Sequence, residues 1–245
     1  MNCPKAADRI RLPRKGRSHL KISGMKELRI FTLKLAICFG LPWLLLILLP
    51  WSSMKGLEPI PYGEDDADHV GVAYPPGASG LDHVGQRVYA SEGCAYCHTQ
   101  MVRPTYAGSD IWRGWGGREE DGFARSTRPR DYLGEGVALL GARRYGSDLS
   151  NVGWRRPDAA WLHQLLYDPV AVEEDSNMPS YAHLYDEREV ESAPADDAVK
   201  VWMDEETGRQ YEVVPSSDAK ALVDYLLSLK KDYRLPAALA GGGES

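Results

Sequence analysis

The sequence predicts a mainly α-helical protein: a single N-terminal transmembrane helix, then a helical domain interrupted by long loops. Three observations carry that prediction. An apolar run lies between Ile30 and Trp51, the charges on its two sides have opposite sign, and three segments beyond residue 81 (82–98, 157–166 and 217–231) read as helices. The chain has 245 residues, 43% hydrophobic and 26% charged. That is the composition of a folded protein and excludes wholesale disorder and a polytopic membrane protein. Four cysteines are too few for a disulfide-stapled scaffold.

The run IFTLKLAICFGLPWLLLILLPW, 22 residues long, contains one charge, Lys34, close enough to its start to snorkel to an interface. At about 1.5 Å per residue it spans about 33 Å, enough for a hydrocarbon core of about 30 Å. Trp51 suits an interfacial belt at its exit. Residues 1–34 hold ten Lys/Arg and two acids, a net +8 in a chain of −6, so the remainder carries −14. The positive-inside rule keeps the N-terminus in the cytoplasm and exports the chain beyond Trp51, the arrangement of a single-pass inner-membrane protein. Leu35-Ala36-Ile37-Cys38 is a poor lipoprotein cleavage site, with bulky Ile37 before the cysteine, and no A-x-A site occurs after Leu49. An uncleaved anchor is expected, with Met25 a second candidate start. The basic part is a short arm rather than a folded surface, which argues against a nucleic-acid partner.

The expected organisation is a basic cytoplasmic arm (1–29), the anchor (30–51), an exposed linker (52–81), a domain over 82–232 and a flexible tail (233–245). The linker holds four Pro, five Gly and an acidic cluster. Asp82 is a candidate N-cap for the first helix of the domain, and Pro157 suits the first turn of the second. Val201–Val214 has the alternation of a hairpin. Ser217 or Asp218 can cap the last helix, whose C-terminal dipole suits Lys230 and Lys231.

The motif Cys94-Ala-Tyr-Cys97-His98 carries most of the functional information. Thiols at i and i+3 on one turn can add to the two vinyl groups of a haem, leaving the next residue, His98, placed to bind its iron. Covalent attachment suits an exported compartment. A zinc knuckle needs a second ligand pair, a thioredoxin-type site a preceding strand, and a Cys94–Cys97 disulfide a strained short loop. One covalent haem c is therefore expected. Candidates for the opposite axial ligand are Met101, Met178, Met203, His69, His83, His163 and His183. Met101 is too close to His98 in sequence to reach the other face, and Met178 lies among turn formers in DSNMPSY. Arg103 is the leading partner for a haem propionate, ahead of Arg143 and Arg144, and Trp112, Trp115 and Trp154 are candidate walls.

The order of anchor, GCAYCHTQMVRP, GSDLSNVG, a tryptophan-bearing helix, DPVAVEEDSNMPSY and ALVDYLLSLK resembles the membrane-anchored monohaem cytochrome c subunit (subunit II) of cbb3-type cytochrome c oxidases. It covers roughly 30–230. The resemblance implies a class I-like cytochrome c domain with long loop insertions and a haem ligated by His98 and Met178. It implies a non-catalytic electron-transfer role toward a haem–copper oxidase subunit, with other cytochrome c subunits or soluble cytochromes as donors. Ser147 stands where the family has proline, keeping the carbonyl that accepts from the proximal histidine; 105–145 and 186–215 also depart from the family pattern. A nitric oxide reductase cytochrome c subunit and a freestanding tethered shuttle are the alternatives.

Overall fold

The computed structural model describes residues 20–62, 71–117, 124–231 and 233–235, in two compact units that divide after Gly56. Among its described residues the first holds one helix. α1 (Leu20–Trp43) passes through a π-helical turn at Leu44–Leu48 and continues as α2 (Leu49–Met54). Met25–Met54 is long and apolar enough to cross a membrane, and its apolar window is wholly unburied. The helix outruns the expected 30–51 at both ends, running from Leu20, across Gly24, to Met54. Its widened turn comes just after Pro42, which has no N–H to donate and crowds the carbonyl one turn back.

The second unit is mixed α and β, a correction to the mainly α expectation. β1 (Ile60–Pro61) pairs antiparallel with β2 (Ala73–Tyr74), Ile60 opposite Tyr74. The segment 52–81 is therefore not an exposed tether throughout. Tyr74 is 1% exposed, and its hydroxyl donates to Asp131 at 2.7 Å. Arg125 holds both oxygens of that carboxylate at 2.7 Å. The rings of Tyr62 and Tyr233 pack on one another at 4.5 Å and flank Tyr74. Tyr233 and buried Leu235 thus belong to the packed unit rather than to a tail; residues 236–245, like the acidic cluster at 63–70, lie outside the described residues.

The cap of α3 (Gly80–Ser91) lies three residues before the one expected at Asp82. Ser79 is the cap. Its hydroxyl accepts from Asp82 N at 3.1 Å, and the Asp82 carboxylate accepts from Ser79 N at 2.7 Å, a reciprocal capping box. α4 (Val152–Arg155) precedes α5 (Ala159–Tyr167), which Asp158 caps, so Pro157 stands before the helix instead of opening it. α6 (Pro169–Val172) comes next, and α7 (Ser217–Ser228) is capped by Ser216 rather than Ser217 or Asp218. Lys231 is buried against Glu135 and lies 4.0 Å from the Tyr132 ring, while Lys230 sits 4.4 Å from the Trp154 ring.

The expected hairpin is present as β4 (Lys200–Met203) and β5 (Gln210–Pro215), with Trp202 stacked on Tyr211 across the pair. A third strand, β3 (Tyr185–Glu189), pairs with the other side of β5, giving the order β3-β5-β4. Its sequence YDERE is exposed and charged after Tyr185, so it shows no alternation to read.

The core forms where α3 crosses α7, flanked by α5 and β5. Tyr89, Leu162, Val213, Leu222 and Val223 are its centre, and full burial of each large apolar side chain contributes about 1.5–3 kcal/mol. The crossing depends on Gly85: a Cβ there would collide with the Ala221 carbonyl and the Tyr225 Cβ. Gly85→Val is expected to lower the unfolding free energy by about 2–3 kcal/mol through overpacking, read as a lower denaturant midpoint; an unchanged midpoint would mean that the helices do not cross this closely.

Candidate functional site

After α3, Gly93 adopts φ 74° and turns the chain into a single 3₁₀ turn over Cys94–Tyr96. Cys97 N and His98 N both donate to the Cys94 carbonyl, at 3.1 and 2.9 Å, so the two thiols and the imidazole leave one turn of backbone. Cys94 and Cys97 are not bridged. Cys94 lies within the core cluster, and burial pushes its thiol up to about 11. The side chain is therefore a neutral thiol at neutral pH.

His98 is fixed from one side. Its Nδ1 stands 2.8 Å from the Ser147 carbonyl, which can only accept, so Nδ1 carries the proton and Nε2 keeps a lone pair. Burial lowers the His98 pKa, and nearby Arg155 adds to that, opposed by the Ser147 bond and by Asp148. The imidazole is neutral, the state a metal ligand needs. The close approach requires Gly146, where a Cβ would collide with the His98 ring, and Gly146 N donates to Cys97 O at 2.9 Å.

Two buried carboxylates brace this loop. Asp148 accepts from Thr99 Oγ1 at 2.6 Å and from Met101 N and Ser150 N, both at 2.9 Å. Asp110 accepts from Arg103 N at 2.7 Å and pairs with Arg103 at 2.9 Å and Arg144 at 2.7 Å. Burial works to raise the Asp110 pKa, but the hydrogen bonds and charges of Arg103 and Arg144 outweigh it and hold the carboxyl below its usual range.

Among the candidate sixth ligands, Met178 is the one packed against the core cluster that contains Cys94. Its loop is tied to α5 by Tyr181 N to Leu166 O at 2.8 Å and Ser180 Oγ to Tyr167 O at 2.5 Å, and to the end of α3 by His183 and Glu92 at 2.9 Å. Met101 is pinned beside Asp148 and Arg144, Met203 is exposed on β4, and His163 bonds Tyr185. His69 lies outside the described residues.

Arg103 is committed to Asp110, whereas Arg155 supplies a residue that the sequence alone does not single out. Its Nη2 donates to the Asp148 carbonyl, its Nε has no hydrogen-bond partner, and no carboxylate pairs with it among the described residues. Burial lowers its pKa. A half-buried guanidinium with an orphaned N–H close to His98 calls for an anion. Its only sequence signal was its place just after GSDLSNVG, within Trp154-Arg155-Arg156. The orphaned donor, the neutral oriented imidazole and the paired thiols fit a covalently held haem with its propionates.

A family model described as cytochrome C oxidase, mono-heme subunit/FixO matches residues 67–226. No curated protein matches the chain.

Removing the braces has directional consequences. Asp148→Ala leaves Thr99, Met101 and Ser150 donors unserved and is expected to cost about 3 kcal/mol in denaturant unfolding. Asp110 ionises more readily folded than unfolded, so its stabilisation is complete above the ordinary carboxylate value of about 3.9 and fades as pH falls through the lower folded value. The stability gap between wild type and Asp110→Asn should be flat from neutral pH down to about 5 and shrink below about 4; a gap that widens on acidification would contradict the assignment.

Proposed function

We propose, from the premise that this chain belongs to the cytochrome c oxidase mono-haem subunit (FixO) family, that it carries one covalent haem c and passes electrons toward the catalytic haem–copper subunit of a cbb3-type oxidase. The observation that carries this reading is His98, neutral and aimed by the hydrogen bond at its far nitrogen. A bond of that kind orients a ligand imidazole and raises its basicity.

When bound, the haem supplies a one-electron couple at its iron. Cys94 and Cys97 would hold the haem covalently, each as a thioether to one vinyl group. His98 Nε2 and the Met178 thioether would hold the iron, a pairing that raises the reduction potential. Arg155 would hold a propionate, which would satisfy its orphaned Nε; Arg103, whose guanidinium already serves Asp110, stands second for that role. The loop ties at Leu166, Tyr167 and Glu92 hold Met178 in place, so that electron transfer needs little reorganisation.

The packing of α3 on α7 with α5 alongside supports a class I-like cytochrome c domain over 82–232, enlarged by the sheet. The basic arm (1–29) is cytoplasmic, the anchor (30–51) spans the inner membrane once, and the haem domain is periplasmic, where other cytochrome c subunits or soluble cytochromes deliver electrons.

Purification of the full chain from its native membranes in mild detergent tests the proposal. Co-purifying b-type haem and copper with cyanide-sensitive oxygen uptake is the expected result. Covalent haem without partner or turnover would point to a tethered shuttle instead. In the oxidised protein Met178→Ala should abolish the sulfur-to-iron charge-transfer band and lower the midpoint potential, with covalent haem content unchanged. A band that survives the substitution would remove Met178 from the ligand set.

A further inference from the structure

Beside the loop that carries Ser147, the domain has a cavity of about 380 Å³ whose lining includes Arg103, Arg113, Arg144, Trp115, Tyr145 and Ser147 and no acidic side chain. The arginines are arranged rather than merely close. Asp110 fixes Arg103 and Arg144 from beneath. Arg113 donates to Ser109 Oγ at 3.1 Å and lies 5.3 Å from the Trp115 ring centre, with Arg144 at 5.6 Å from the same ring. The segments that build the cavity also carry Tyr106, Trp112 and Tyr145, which are 91%, 75% and 76% exposed. Arginine with exposed tryptophan and tyrosine is the composition of an interface hot spot.

We propose that this arginine pocket is the docking site for a carboxylate-bearing surface of another subunit of the oxidase, an inference that rests on the proposed membership of such a complex. Charge complementarity selects the occupant. The chain after residue 34 carries −14, so an acidic partner surface is repelled by most of it and attracted where the three guanidiniums outnumber the Asp110 and Asp148 carboxylates beneath them, with Arg113 paired to neither. The location gives the contact a purpose. Ser147 lines the pocket and its carbonyl accepts the His98 Nδ1 hydrogen bond, so a partner seated there stands one hydrogen bond from the proximal ligand.

The test uses the full chain in native membranes with its partner subunits, purified in mild detergent. Arg113→Glu should reduce the fraction of chain eluting with the oxidase complex by about tenfold, since like charges across an interface are strongly unfavourable. Covalent haem per chain and the charge-transfer band should stay at wild-type values, and Arg113→Lys should retain most of the assembly. Arg209→Glu, on the distant hairpin and paired with Glu189, is the charge control and should co-elute normally. Co-elution of Arg113→Glu at the wild-type level overturns the proposal, as does an equal loss with Arg209→Glu. Heat from inorganic phosphate titrated into wild type but not into Arg113→Glu, with assembly unaffected, would make the pocket a small-anion site only and overturn docking. A wild-type chain that carries haem but never co-elutes sinks the oxidase reading and this one together, whereas a haem-loaded, assembling wild type matched by Arg113→Glu sinks this one alone.

Discussion

The hydrogen bond from His98 Nδ1 to the Ser147 carbonyl is the constraint around which the rest of the domain is arranged. One bond of this kind contributes about 0.5–1.5 kcal/mol, too little to place a loop alone. It holds because the backbone of 146–149 is tied to 97–99 on either side of it, through Gly146 N to Cys97 O and Leu149 N to Thr99 O. Asp148 then gathers three donors from the two strands of this loop pair. The imidazole is thereby turned with its free lone pair away from the loop. The proline usual in the family is not needed for that geometry: its role is to stiffen a carbonyl, and here the carbonyl of Ser147 is stiffened by its neighbours' hydrogen bonds.

Buried charge is distributed unevenly around this bond. Behind the imidazole, Asp110 and Asp148 are surrounded by Arg103, Arg144 and backbone donors, so each carboxylate is compensated where it sits. Arg155 lacks that compensation. Leaving one buried donor unserved costs about 1–3 kcal/mol, a penalty that a protein removes by binding something at the site. Around His98, the satisfied Asp110 and Asp148 carboxylates contrast with the unserved Arg155 Nε.

Much of this was legible in the sequence where a short-range rule applies. CAYCH, the final helix and the hairpin announce themselves through local spacing and are where they were expected to within a few residues, while the apolar helix runs past the expected 30–51, from Leu20 to Met54. Caps slipped because Ser79 and Asp82, or Ser216, Ser217 and Asp218, have nearly equal preferences, and only the formed hydrogen bonds choose between them. β3 was invisible because its outward residues are all charged. The Tyr74–Asp131–Arg125 cluster and the unserved Arg155 donor were illegible for a different reason: they depend on residues far apart in the chain, and no period or motif encodes such a meeting. Arg103 was favoured over Arg143 and Arg144 because it follows the motif closely, while the fold commits Arg103 to Asp110.

The described residues between 103 and 145 have little regular structure, and polar groups anchor their backbone beside buried Trp115. Val102 O accepts from Thr127 N at 3.1 Å, Gly116 O from Arg125 N at 2.9 Å, and Trp115 O from Asn151 Nδ2 at 2.8 Å. Such anchoring leaves the large side chains free to point outward, which explains how Tyr106 and Trp112 can be exposed in a segment whose backbone is held. A loop stabilised by burying its aromatics would have none to offer a partner; a loop stabilised by its hydrogen bonds does. The same logic accounts for the three arginines, each fixed by a group beneath or beside it, so that the face they present is ordered before anything binds and little side-chain entropy remains to be lost on docking.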